Sequence, residues 1–204
     1  MQVIKLLGKI FNRCQSYWFR LRRVWNRWWF LFTESPRHSK IELGRAVTFN
    51  VPVRGGGQGT LRVGDHSTFG FPLSFRLGNG EIMLQPRTPE AEIVIGRNTI
   101  INHNTAICAV KNVRIGNDCL IGDGVAITDA DFHEINPATR NHSAGIIKPV
   151  NIGNNVWIGS RVLVLKGANI GDNSVIAAMS VVNSDIPANC VAAGIPARVI
   201  RQIE

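Results

Sequence analysis

The chain has 204 residues, with 23 Lys and Arg against 14 Asp and Glu for a formal charge of +9. At 45% apolar and 18% charged residues it can bury a sizeable core, which excludes intrinsic disorder as its main description. Cys14, Cys108, Cys119 and Cys190 fall at no zinc or redox spacing and do not mark a disulfide-dense secreted scaffold, so they read as buried, reduced thiols.

The charge is concentrated at the N-terminus. Residues 1–40 hold nine basic residues and one acid, Glu34, for a net of +8, which leaves +1 for residues 41–204. Lys or Arg interrupts the first 27 residues repeatedly and residues 28–33 are too few, so neither a signal peptide nor a membrane-spanning helix is expected. If residues 3–32 are helical, Val3, Leu7, Ile10, Cys14, Trp18, Leu21, Trp25, Trp28 and Phe32 share one stripe. Lys5, Lys9, Arg13, Arg20, Arg23 and Arg27 then fall on the opposite face. Rings on one side and cations on the other suit the interface of an anionic membrane, so residues 1–32 are expected to anchor the protein peripherally. The alternative is that the apolar face packs on the following domain or on a partner chain. Nucleic acid is not an expected partner, because the aromatics are segregated from the cations rather than interleaved with them.

Residues 41–204 repeat with a period of six. Ile152, Ile158, Val164, Ile170, Ile176 and Val182 are evenly spaced and mostly followed by a small residue, and Ile95, Ile101, Ile107 and Ile115, Ile121, Ile127 are shorter runs with the same spacing. Gly44, Gly64, Gly96, Gly116, Gly153 and Gly171 open successive triplets of hexads. Three hexads make one coil of a triangular prism of short parallel strands, with the aliphatic residue inward and the small residue allowing a tight turn at each corner. Coils must stack to bury their apolar faces, and the two ends of the stack need caps. The longest insertion, about residues 129–149, carries Asp129, Asp131, His133, Glu134, Arg140, His142 and Lys148 and is the natural place for a site on a rigid scaffold. His133, with an ordinary pKa near neutrality, is the best candidate for a general base.

The segment from residue 151 to residue 201, NIGNNVWIGSRVLVLKGANIGDNSVIAAMSVVNSDIPANCVAAGIPARVIR, resembles the left-handed parallel β-helix acyltransferases with hexapeptide repeats. The likeness is greatest to the maltose and galactoside O-acetyltransferases and to the acetyltransferases of exopolysaccharides such as colanic acid. It implies an all-β, left-handed parallel β-helix, a homotrimer with sites between subunits, and acetyl-CoA as acyl donor with no metal. It implies that His133 deprotonates a sugar hydroxyl that attacks the thioester directly. It also implies that Asn102 holds the acceptor, that Ser160 stabilises the oxyanion, and that the CoA arm runs past Trp157, Ser160, Ala178 and Asn183 towards Arg198 and Arg201. Asp131 or Glu134 would orient the imidazole. Ser184 departs from the pattern, which often has Lys there. Together with the basic helix, the resemblance points to a sugar or lipid-linked glycan acceptor at the cytoplasmic face of the bacterial inner membrane. An antibiotic acceptor, or a zinc hydratase of the carbonic anhydrase type using His103, His133 and His142, are the alternatives. A non-enzymatic membrane scaffold is another.

Overall fold

A computed structural model describes residues 2–71, 80–142 and 145–204, and side chains from residue 17 onward. Most of the 14-residue insertion between Gly64 and Gly96, and the side chains of Val3, Lys5, Leu7, Lys9, Ile10, Arg13 and Cys14, lie outside the described residues. A helix, Gln2–Glu34, precedes a stack of coils, each contributing one strand to each of three faces. Face A holds Lys40–Leu43, Thr60–Val63, Glu92–Ile95, Asn112–Ile115, Val150–Ile152 and Asn169–Ile170, all parallel. Face B holds Thr48–Phe49, Thr68–Phe69, Ile100–Ile101, Leu120–Ile121, Trp157–Ile158, Val175–Ile176 and Cys190–Gly194. Face C holds Val53–Arg54, Ile82–Pro86, Ala106–Ala109, Ala126–Thr128, Leu163–Val164 and Val181–Val182. One strand from each face makes a coil, so the described residues form coils 1 to 6 and the start of a seventh. The last strand, Ala197–Gln202, turns back antiparallel on Cys190–Gly194 and covers that edge of face B.

The hexad aliphatics form vertical ladders inside the prism: Phe49, Phe69, Ile101, Ile121, Ile158 and Ile176 stack in register from face B and are all buried. The glycines do not serve the corner turn as the sequence pattern suggests. At Gly116 an added Cβ would stand 2.4 Å from the Gly153 carbonyl oxygen, and Gly116 itself does not need a positive φ. Glycine is required there because adjacent coils approach backbone to backbone. The left-handed corner conformation falls two residues later, on Asn98, Asp118, Asn155 and Asn173, with φ of 52–60°. Asn and Asp tolerate that region because their short polar side chains bond locally.

The N-terminal end of the prism is closed by the C-terminal part of the helix. Asn26, Phe30 and Glu34, one turn apart, face the prism and are buried. The Phe30 ring lies 5.4 Å from that of Phe49, which in turn lies 5.1 Å from Phe69, so Phe30 continues the internal ladder into the cap. Asn26 Nδ2 donates to the Phe49 carbonyl at 3.2 Å. Glu34 accepts the Gly56 N–H at 2.8 Å, and His38 Nε2 stands 3.5 Å from the same carboxylate. A carboxylate at a helix C-terminus opposes the helix dipole, and these contacts offset that. Gly55 admits them, since a Cβ there would meet His38 Nε2 at 2.5 Å and Glu34 Oε2 at 2.6 Å. The helix therefore caps the prism through a stripe different from the aromatic one. Trp18, Trp25 and Trp28, on the far side, remain 66%, 58% and 50% exposed.

Candidate active site

After the strand Ala126–Thr128 the chain leaves the prism at the edge between faces C and A. Asp129 closes the root of this loop. Its fully buried carboxylate accepts the N–H groups of Val110, Lys111 and Asn112, each at 2.7 Å, and its carbonyl accepts the Lys148 N–H at 2.9 Å. Three charge-assisted hydrogen bonds satisfy the anion without a cation. Ala130 and Ile147 form an antiparallel bridge above it. Asp131 then pairs with Lys166 of coil 5, and the Arg87 guanidinium of coil 2 sits 4.3 Å from the centroid of the Phe132 ring. The loop is thus tied to coils on both sides of its own. Phe132 has φ of 64°, an unfavourable conformation for a bulky residue, immediately before His133.

His133 is exposed, and its Nδ1 lies 3.2 Å from the Arg140 carbonyl oxygen. A carbonyl only accepts, so Nδ1 carries the hydrogen and Nε2 of the neutral ring carries the lone pair. Gly145 lets the returning strand of the loop cross close by, because a Cβ there would stand 2.3 Å from the His133 carbonyl oxygen. Asp131, one of two carboxylates expected to orient the ring, is instead engaged with Lys166 and fixes the loop. Glu134 is half-buried in the same loop.

Asn102, Ser160 and Ala178 lie on a different edge, between faces B and C. The ladder bonds Asn102 N to Ile121 O, Gly122 N to Ile158 O and Gly159 N to Ile176 O stack these corners directly over one another. Asn102 Oδ1 accepts from the His103 backbone N–H at 2.9 Å and from His103 Nδ1 at 2.7 Å. Ser160 and Ala178 are exposed, and Arg161 and Met179, directly after them, have φ of 59° and 62°. Trp157 points outward from face B and is 55% exposed. Asn183 is exposed on the C–A edge, the same edge as the His133 loop, and Arg198 and Arg201 are exposed on the final strand. One chain therefore carries two half-sites, His133 with Asn183 on one edge and Asn102 with Ser160 and Ala178 on the other, with face C between them.

Asp129, Lys166, Arg87 and Phe132 were not marked as site residues by the sequence. For Asp129 a signal existed: it stands two residues after inward-facing Ile127, so strand alternation directs a carboxylate into the prism. Lys166 and Arg87 gave none, because their partners come from other coils.

Residues 149–184 match the family model described as "Bacterial transferase hexapeptide (six repeats)". A crystal structure of a hexapeptide-repeat-containing acetyltransferase from Vibrio cholerae O1 biovar eltor, complexed with acetyl coenzyme A, is 32% identical with a TM-score of 0.57, covering 70% of this chain and 71% of that one. The chain belongs to the hexapeptide-repeat acetyltransferase family. Its prism is the left-handed parallel β-helix of that family. The structure of a galactoside acetyltransferase in complex with coenzyme A is 34% identical with a TM-score of 0.56, covering 82% of this chain and 66% of that one. The galactoside O-acetyltransferase of Escherichia coli (strain K12) is 46% identical over 113 residues, 55% of each chain. The chain thus spans about half the length of the curated relatives it matches. Among the described residues, no helix is long and apolar enough to cross a membrane.

Proposed function

We propose that this hexapeptide-repeat protein transfers an acetyl group from acetyl-CoA to a sugar hydroxyl, with His133 as general base. The observation that carries the reading is the Nδ1 contact to the Arg140 carbonyl, which leaves Nε2 as the proton acceptor on a loop closed at its root and tied to neighbouring coils through Asp131 and Phe132. Nε2 takes the proton of the acceptor hydroxyl as its oxygen attacks the thioester carbonyl carbon. A tetrahedral oxyanion forms, the C–S bond breaks, and the imidazolium returns the proton to the CoA thiolate. Ser160 supplies a donor to the oxyanion and Asn102 holds the acceptor. The CoA arm runs along Trp157, Ala178 and Asn183 to Arg198 and Arg201, which take its phosphates without help from a lysine at Ser184. The kinship with galactoside acetyltransferases, one of them in complex with coenzyme A, supports both substrates.

The two half-sites meet between copies of the chain. The outward residues of face A are mainly polar, including Glu42, Arg62, Arg114, Asn151 and Asn169, whereas face B presents Ile100, Leu120, Trp157 and Val175 and face C presents Met83, Ala106, Ala126, Leu163 and Val181. Two apolar faces flanking one edge suit a closed ring of identical copies, here a homotrimer. Each groove joins the Asn102 and Ser160 edge of one copy to the His133 edge of the next.

The exposed Trp18, Trp25, Trp28 and Phe32 face, with Arg22 beside it, holds the enzyme on anionic lipid at the cytoplasmic side of the bacterial inner membrane, where acyl-CoA is made and lipid-linked glycans are assembled. The test of acyl transfer is CoA release from acetyl-CoA with a panel of free and nucleotide-linked sugars. Turnover is expected with at least one. His133→Ala should lower kcat by roughly 10²–10⁴-fold with the fold intact; undiminished turnover in that variant contradicts the assignment.

A further inference from the structure

The helix both caps the prism and carries the membrane-seeking face, and its direction across the prism end has a consequence for the acceptor. Its contacts run from the Phe49 and Val47 carbonyls on the face B side, made by Asn26 and Arg27, to Gly56 beyond face C, made by Glu34. These partners all belong to coil 1 and the loop that leaves it, so the helix lies across the end of the stack rather than along its side. Phe30 points into the prism while Trp25, Trp28 and Phe32, half a turn round, point directly away from it. When those rings lie at headgroup level, coil 1 is nearest the lipid and the coils count height above it.

Asn102 belongs to coil 3, and the His133 loop leaves coil 4 while packing back against Arg87 of coil 2. With a helix about 10 Å thick and coils about 4.8 Å apart, a hydroxyl at coil 3 or 4 stands roughly 20–25 Å above the plane of the rings. We infer that the capped prism acts as a ruler: on the membrane, the enzyme acetylates a sugar distal to the lipid in an extended lipid-linked oligosaccharide, and passes over a sugar attached directly to the lipid phosphate. This rests on the anchored acyl-transfer reading above, and it adds the length of the acceptor. The selection comes from standoff alone and requires no residue that recognises glycan length. It also fixes an order of reactions, because glycosyl transfer that extends the lipid-linked chain must precede acetylation.

The test uses the full chain bound to vesicles containing phosphatidylglycerol, with CoA release as the readout. Three acceptors share one terminal hexose: a monosaccharyl phospholipid in the vesicle, the same hexose on an oligosaccharyl phospholipid in the vesicle, and a water-soluble short-chain analogue of the first. The ruler predicts that the soluble analogue and the oligosaccharyl lipid are acetylated while the vesicle-borne monosaccharyl lipid is slower by at least tenfold. Equal rates for the two vesicle-borne lipids overturn it while leaving acyl transfer standing. Failure to sediment with the vesicles overturns the anchor and the ruler together, and a silent soluble analogue overturns the acyl-transfer reading beneath both.

Discussion

At the scale of single residues, Asp129 separates support from chemistry. Its carboxylate accepts three backbone N–H groups at the root of the His133 loop, and an amide in its place would turn one acceptor into a donor facing donors. Asp129→Asn is therefore expected to lower stability by about 1–3 kcal/mol, read as a drop in thermal midpoint, and to reduce acetyl transfer through the loop. An unchanged midpoint would mean that the three contacts are not formed in solution. Backbone strain tells a similar story. Phe132, Arg161 and Met179 hold left-handed angles beside His133, Ser160 and Ala178, whereas most other corners use Asn, Asp or Gly, with Ala46 and His66 the exceptions among the described residues. Such angles persist only where the surroundings fix them, as Arg87 and Lys166 do for the loop.

At the scale of elements, the helix does two jobs through two stripes. Phe30→Ala would leave a cavity where the Phe49 and Phe69 ladder ends, at a cost of about 3–5 kcal/mol. Replacing Trp18, Trp25, Trp28 and Phe32 by serine instead keeps Asn26, Phe30 and Glu34, so the prism should fold and transfer acetyl groups to a soluble acceptor while no longer sedimenting with anionic vesicles. Retained vesicle binding by that variant would place the anchor elsewhere. The hexads made the prism legible in sequence because an inward aliphatic every six residues is a local pattern. A capping N-terminal segment was an open alternative in the sequence, but the stripe that caps was not legible: Phe30 was one aromatic among nine in residues 1–40, and its companions on that stripe, Asn26 and Glu34, are polar. Nor did Gly55 stand out as the clearance for Glu34 and His38, because the need arises only when the helix folds back across coil 1.

At the scale of the whole molecule, the three faces differ in what they offer a neighbour. Face A carries a line of charges, Lys40, Glu42, Arg62, Glu92 and Arg114, in which hydrogen bonds from Lys40 and then Arg62 hold the Glu42 carboxyl below its ordinary value. These pairs are exposed and contribute little to stability, but they keep that face wetted while faces B and C stay apolar. Asn102 and His133 are candidates that the sequence nominates by resemblance. Their assignment to opposite sides of face C required the coils to be counted in space. That separation makes the shared site the central claim, and it has a direct measurement. His133→Ala keeps the Asn102 edge and Asn102→Ala keeps the His133 edge, so each homotrimer should be deficient, the second by roughly 10- to 100-fold for one lost hydrogen bond to the acceptor. Denaturing and refolding the two variants together in equal amounts should restore about a quarter of wild-type turnover, since one groove in four then pairs two intact edges in a randomly mixed closed ring. Mixed trimers no more active than their parents would contradict the account.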